Sequence, residues 1–145
     1  MKSKVDPLIK LLDFRQGEAS RALSAAQQHL GTLHRERAEL LDDLEAGEHR
    51  FDALQGAPTD PEDHALHRAW LVGLRERLAL KQTEIQKQEE EVERCRAALS
   101  AIHLELRTLE RYQEQQEERI KLEHKALEAK ELDEIAGQKH RRQEA

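Results

Sequence analysis

Aromatic side chains are scarce in this sequence, which limits the kind of core that it can build. Phe, Trp and Tyr make up 3% of the 145 residues, whereas Asp, Glu, Lys and Arg make up 37%. A core several layers thick needs more large apolar side chains, but the narrow interface between two paired helices does not. The composition is therefore typical of long helices or a coiled coil.

The sequence also lacks a cysteine pair, a long apolar run and an excess of basic residues. Its single cysteine, Cys95, excludes an internal disulfide. No apolar run approaches the ~18 residues of a membrane span, and residues 1–4 are not followed by the apolar region of a signal peptide. Charges of both signs are interspersed, with a formal net charge of −6, which does not favour nucleic-acid binding. We expect a cytoplasmic protein that does not insert into membranes.

Motifs for catalysis, metal binding and cofactor binding are missing as well. The glycines are isolated and form no phosphate-binding loop, and the eight histidines form no metal-binding motif. His64 and His67 are one turn apart but fit solvent-exposed side chains better than ligands. A pair of straight helices also offers no concave pocket for a substrate. The sequence predicts no enzyme, no metal site and no cofactor.

Prolines are rare, and two of the three lie in one short stretch, residues 56–61. Gly56 is suited to follow the end of a helix, and Pro58 prevents its continuation. Asp60-Pro61 then repeats the helix-start signal of Asp6-Pro7, an N-cap residue followed by proline. We predict a first helix over about 7–55, a turn at 56–61, a second helix over about 62–136 and a frayed basic tail at 137–145.

Apolar residues on both sides of this turn recur at spacings of three and four, which predicts one all-α antiparallel two-helix coiled-coil hairpin. We call these recurring positions the seam. With the turn centred near residue 59, facing seam positions have numbers that sum to about 118. One facing pair, Arg37 and Lys81, is polar, and we expect both heads to reach solvent around a loose layer. The seam positions are 9, 12, 16, 19, 23, 26, 30, 33, 37, 40, 44, 47, 51 and 54 in the first helix and 71, 74, 78, 81, 85, 88, 92, 95, 99, 102, 106, 109, 113, 116, 120, 123 and 127 in the second.

The predicted helices have unequal lengths, so residues 111–136 have no counterpart in the first helix. This overhang contains Ile120, Leu127 and Ile135, and an isolated amphipathic helix of this kind is poorly stable alone. It frays, pairs with another chain or docks on a partner.

Extra apolar residues also lie off the seam at the hairpin end that carries both termini, namely Leu8, Leu11 and Phe14. They either widen the seam or bind a partner. Trp70, near the turn, either packs on the first helix or anchors a partner, because tryptophan is enriched at binding hot spots.

Nearly the whole length of the chain resembles the small coiled-coil stalk proteins of bacterial type III secretion, the flagellar FliJ and injectisome YscO/HrpO family. The resemblance rests on residues 8–19 (LIKLLDFRQGEA), the proline-bearing turn, the unequal arms and residues 130–135 (KELDEI).

This resemblance implies a cytoplasmic, non-enzymatic stalk associated peripherally with the secretion apparatus. Members of the family are similar to the central stalk of rotary ATPases. The end with both termini would enter the secretion ATPase ring, and residues nearer the turn would contact the cytoplasmic part of the export-gate membrane protein. Trp70 and Leu74 match the aromatic and leucine that make this contact. The family's tyrosines on the first arm have no equivalent here.

Two other interpretations remain open. The chain could be a helical chaperone or adaptor whose overhang forms an intermolecular coiled coil with another secretion protein through Ile120, Leu127 and Ile135. Alternatively, its high content of charged residues permits a chain that folds only on binding.

Overall fold

The computed structural model describes residues 4–58 and 60–144. Met1, Lys2 and Ser3, the turn residue Thr59 and the last residue of the basic tail, Ala145, lie outside the described residues. The structure contains helix α1 (Asp6–Gln55) and helix α2 (Pro61–Glu144). The two helices pack against each other as a helical hairpin with unequal arms, and the described residues contain no strand. The predicted fold class is confirmed.

Hydrogen bonds to backbone N–H groups mark the end of α1 and the start of α2 at the turn. The backbone N–H of Ala57 donates to the carbonyl of Leu54 at 3.2 Å just after α1 ends. The backbone N–H of Glu62 donates to a carboxylate oxygen of Asp60 at 3.2 Å, which makes Asp60 the N-cap of α2. Gly56 follows α1 directly, but no described glycine has a positive φ, so the helix ends without a left-handed residue.

Helix α2 extends further than the sequence predicted. It continues to Glu144, whereas the basic tail from residue 137 was expected to fray. No proline follows Pro61 to interrupt the backbone hydrogen bonds. Near the end of the helix, His140 lies 3.1 Å from Glu144 one turn further on, a spacing that supports an exposed helix when the pair is charged.

The buried residues follow the predicted seam. The fourteen seam positions of α1 are all buried or half-buried, as are the fourteen of α2 from Leu71 to Gln116. Several of the apolar side chains that are less than 9% exposed fall at facing positions of the predicted register. Examples are Leu12 with Leu106, Ala26 with Val92, and Leu33 with Ile85.

The chain divides into two compact units, Gly17–Ser100 and a second unit of Met1–Gln16 with Ala101–Ala145. Polar seam residues are tied across the helix pair in each of them. In the first unit, Gln88 donates to the backbone carbonyl of Ala26 at 3.1 Å. In the second, Gln113 donates to the carboxylate of Asp6 at 2.6 Å. Such bonds satisfy polar groups that would otherwise be costly at a half-buried interface.

The polar layer at Arg37 and Lys81 differs from the expectation that both heads reach solvent. The Lys81 side chain is 18% exposed and forms ion pairs with Glu36 at 2.6 Å and Glu84 at 3.3 Å. Arg37 is half-buried, and its Nε is buried without a hydrogen-bond partner. Lys81 stays in the layer because two carboxylates meet it there.

The Lys81–Glu36 pair makes hairpin stability depend on pH. The hydrogen bond from Lys81 holds the pKa of Glu36 below its ordinary value of 4.5. The same bond raises the pKa of Lys81 above 10.5. The stabilisation is therefore present between these two values. It is lost as the pH falls through the lowered pKa of Glu36 or rises through the raised pKa of Lys81.

We predict that Lys81→Met removes this contribution. The variant should have a lower free energy of unfolding than the native chain, with the largest difference at neutral pH. The difference should shrink as the pH falls through the lowered pKa of Glu36. Chemical denaturation at a series of pH values measures it. Arg119→Met is the control, because Arg119 and Glu123 are both mostly exposed and form their pair within α2. An equal pH dependence in both variants would contradict the prediction.

Candidate functional site

An apolar groove lies between the helices in the unit that contains the N-terminal residues. It has a volume of about 460 Å³ and is lined by residues of both helices. Leu8 and Leu11 remain 51% and 45% exposed, and Leu104 from α2 is 69% exposed. Arg15 and Glu105 also line it. The full lining is Leu8, Leu11, Leu12, Arg15, Leu104, Glu105, Thr108 and Leu109.

The exposure of the off-seam leucines in this groove does not fit a simple widening of the seam. A widened seam would bury Leu8 and Leu11, but half of each side chain faces solvent. Phe14 does not line the groove and is 61% exposed. No pocket was expected from the sequence, because a pair of straight helices offers no concave surface. The groove forms because exposed leucines of α1 and α2 lie beside the seam in this unit.

Trp70 packs on α1 and is exposed at the same time. Its ring lies against Gly47, leaving it 40% exposed. His67 is 5.6 Å from it, ring centre to ring centre, and the Arg50 guanidinium lies 5.8 Å from the ring centre, within range of a cation–π contact. Of the two alternatives given for Trp70, the structure shows the packing on the first helix, and the partner contact stays a prediction.

The two histidines near the turn are held by ring contacts. His67 stacks on Phe51 at 5.7 Å, and His64 meets the same ring edge-on at 4.8 Å. His67 Nε2 donates to the backbone carbonyl of Gly47 at 3.0 Å, because a carbonyl can only accept. Neither histidine belongs to a group of three or more potential metal ligands among residues 4–58 and 60–144.

Leu74 requires a correction, because the resemblance had assigned it to partner binding together with Trp70. It is only 4% exposed and belongs to the core of the hairpin. Its seam position turns the side chain toward α1, whereas Trp70 lies just beside the seam. Leu74 therefore cannot present its side chain to a partner while the helices stay paired.

The overhang begins later than predicted. Gln113 and Gln116 are still half-buried, and from Glu117 to Ala136 every side chain is exposed. The difference arises because Val5, 8% exposed, and Asp6 extend the pairing at the start of α1. Within the overhang, Ile120, Leu127 and Ile135 are 48%, 58% and 55% exposed.

Two exposed leucines of α2 were not identified from the sequence. Leu66 and Leu80 are 70% and 66% exposed. They lie off the seam, and that placement on the helix is the signal in the sequence that indicates their exposure.

The thiol of Cys95 is partly covered by the packing of the two helices. It is half-buried at its seam position. Burial and the neighbouring Glu91 raise the pKa of the Cys95 thiol, which disfavours the nucleophilic thiolate form.

No helix in the described parts of the chain is long and apolar enough to cross a membrane.

Comparison with known proteins decides the family. The model of the family described as "Flagellar FliJ protein" matches residues 1–145. The chain belongs to the flagellar FliJ family. This confirms the resemblance drawn from the sequence, and the family is one of non-enzymatic components of flagellar or type III protein export. No curated protein and no solved structure matches the chain.

We predict that Gly47→Ala destabilises the hairpin. A Cβ at this position would lie 2.9 Å from Leu71 Cδ2 and 3.2 Å from Trp70 Cη2. Overpacking of this kind costs about 1–3 kcal/mol, and the gain in helix propensity offsets about 1 kcal/mol. Chemical denaturation followed by circular dichroism measures the change.

Gly31→Ala is the matched control for Gly47→Ala. A Cβ at Gly31 would meet only the end of Arg35, at 3.9 Å. This variant should gain up to about 1 kcal/mol from helix propensity. A stabilised Gly47→Ala variant would contradict the packing of Trp70 described above.

We predict that removal of residues 117–145 leaves the paired helices intact. The helical signal in circular dichroism should fall, and the midpoint of thermal unfolding should change little, because the side chains of 117–136 are exposed. A chain that ends at Leu109 is the comparison, and it should melt earlier because it loses the bond between Gln113 and Asp6. Equal melting of the two truncated chains would show that this bond contributes nothing.

Proposed function

We propose that this chain is a stalk that couples the secretion ATPase ring to the cytoplasmic part of the export-gate membrane protein. Membership of the FliJ family supports the export role. The observation that carries the finer assignment is the apolar groove near the N-terminus of α1, which leaves Leu8, Leu11 and Leu104 in contact with solvent. Such a surface is costly in a free protein and is typical of a binding site.

The groove suits insertion into a ring of subunits. Its leucines come from both helices, and Arg15 and Glu105 carry opposite charges at its rim. An apolar centre with a polar rim is the usual anatomy of a protein interface. Phe14 adds a further exposed apolar side chain to the same unit. We assign Leu8, Leu11 and Phe14 to the ATPase contact.

Trp70 is the residue that we assign to the export-gate contact. Packing on Gly47 restricts the ring, and its exposed 40% is available to a partner. A rigid aromatic anchor loses little conformational entropy on binding. Leu74 supports the site from within the core, so its loss would weaken the hairpin and not the contact itself.

This assignment makes the protein cytoplasmic and peripherally associated with the secretion apparatus. Its role requires no cofactor, no metal and no bound nucleic acid, because a stalk acts by mechanical contact.

We predict that the double variant Leu8→Asp/Leu11→Asp fails to stimulate the cognate secretion ATPase. Both leucines would be buried on binding, and the loss of their apolar contact should weaken binding at least about tenfold. Hydrolysis is measured with increasing amounts of native chain or variant. Leu41→Asp is the control, because Leu41 is 40% exposed and lies outside the groove. Equal stimulation by the double variant and the native chain, or no stimulation by the native chain, would refute the ring assignment.

An adaptor role is the second candidate, and the exposed overhang favours it. Ile120, Leu127 and Ile135 face solvent along a helix that has no partner within the described chain. A coiled-coil secretion protein could bury them. Removal of residues 117–145 separates the two roles: loss of partner binding with intact ATPase stimulation would favour the adaptor, and intact partner binding would exclude it.

A further inference from the structure

His67 continues the seam of α2 toward the turn, at the seam position before Leu71. In the register of the helix pair it faces Phe51 of α1, and the two rings are stacked, with their planes 7° apart and their centres 5.7 Å apart. A leucine at such a position would bury more apolar surface, and a polar residue in a coiled-coil seam lowers stability. The stability of the helix pair therefore does not account for a histidine here.

The imidazole ring of His67 is held by α1 from two directions. One face of the ring stacks on Phe51, and Nε2 donates to the backbone carbonyl of Gly47 at 3.0 Å. The hydrogen bond satisfies a polar nitrogen that is half-buried between the helices. Because both contacts are made with α1, the orientation of the imidazole is fixed relative to that helix.

Trp70 lies against this fixed ring. It follows His67 by one turn of α2, and the two ring centres are 5.6 Å apart with a tilt of 34° between the planes. The indole also covers Gly47, the residue that accepts the hydrogen bond from His67. The Arg50 guanidinium is 5.8 Å from the centre of the indole, but it belongs to a long and exposed side chain. His67 is therefore the more rigid of these two neighbours.

We propose that His67 is a positioning residue for Trp70, whose ring it holds in the orientation that a partner meets. The role in binding rests on the export-gate contact proposed above. An indole that is already fixed loses little conformational entropy when it binds. Without His67, the indole would keep its contact with Gly47 but would turn more freely about its side-chain torsions. Freedom of this kind weakens binding about two- to tenfold.

The variant His67→Leu separates this role from a purely structural one. Leucine suits a seam position, so the variant should unfold at the same midpoint as the native chain or at a higher one. The Trp70 ring should nevertheless become more mobile. Chemical denaturation measures the stability, and time-resolved fluorescence anisotropy measures the nanosecond motion of the ring. The signal is unambiguous because Trp70 is the one tryptophan in the chain.

His64→Leu is the matched control. His64 is half-buried like His67 and meets the Phe51 ring edge-on at 4.8 Å, but among the described residues the ring contact with Trp70 is made by His67. This replacement should leave the anisotropy of Trp70 unchanged. His67→Phe places a ring between Phe51 and Trp70 again and should recover most of the native anisotropy.

Three results would overturn the positioning role. One is equal anisotropy in His67→Leu and the native chain. Another is a phenylalanine variant whose indole is as mobile as that of the leucine variant. The third is a loss of ring order in His67→Leu that is accompanied by a lower free energy of unfolding, because this result indicates that His67 only stabilises the helix pair.

Binding to the purified cytoplasmic domain of the export-gate membrane protein tests the consequence for the partner. Full-length His67→Leu should bind about two- to tenfold more weakly than the native chain, and His64→Leu should bind as the native chain does. Equal binding by His67→Leu and the native chain would overturn the role of His67 in recognition. Absence of binding by the native chain would refute the export-gate assignment instead, and the anisotropy would still decide whether His67 positions the ring.

Discussion

The packing of α1 against α2 along one narrow seam is the interaction on which every other feature depends. With so few aromatic residues, the chain buries leucine, isoleucine, valine and alanine at facing positions, as at Leu12 with Leu106 and Leu33 with Ile85. Each such layer excludes water and contributes apolar burial. Because no third layer of structure covers the outer faces in the part of the chain that the structure describes, most further apolar residues are left exposed. Exposed leucines are therefore a consequence of the fold, and their clustering carries the functional information.

Side chains that break the seam are accommodated by specific local contacts. Lys81 is held by Glu36 and Glu84, and Gln88 donates to a backbone carbonyl of α1. The ring of Trp70 occupies the space that a side chain at position 47 would fill. These polar residues and the glycine favour the observed register of the two helices. If one helix were shifted by one heptad, the same polar groups would lose their partners. They make the interface specific, whereas the apolar layers make it stable.

The sequence predicted the architecture well because helical periodicity is a local property. The turn prolines, the N-cap at Asp60 and the alternation of three and four residues depend only on neighbours along the chain. The burial of the predicted seam positions follows directly from that periodicity. The prediction was less accurate at the ends. It placed the start of the overhang several residues early, because the pairing of Val5 and Asp6 with the second helix is not a local signal. It also ended α2 before the basic tail, because it took Gly137 as the start of fraying although no proline interrupts the helix there.

The sequence by itself determined the two helices, the turn between them, the seam and the family to which the chain belongs. Only the tertiary structure decided which off-seam side chains are available to a partner. Leu74 and Trp70 are neighbours on one helix, yet one is buried and the other is 40% exposed. Leu8 and Leu11 acquire a groove only because Leu104 stands across from them. Exposure depends on what the other helix places opposite each residue, and that partner is distant in the sequence.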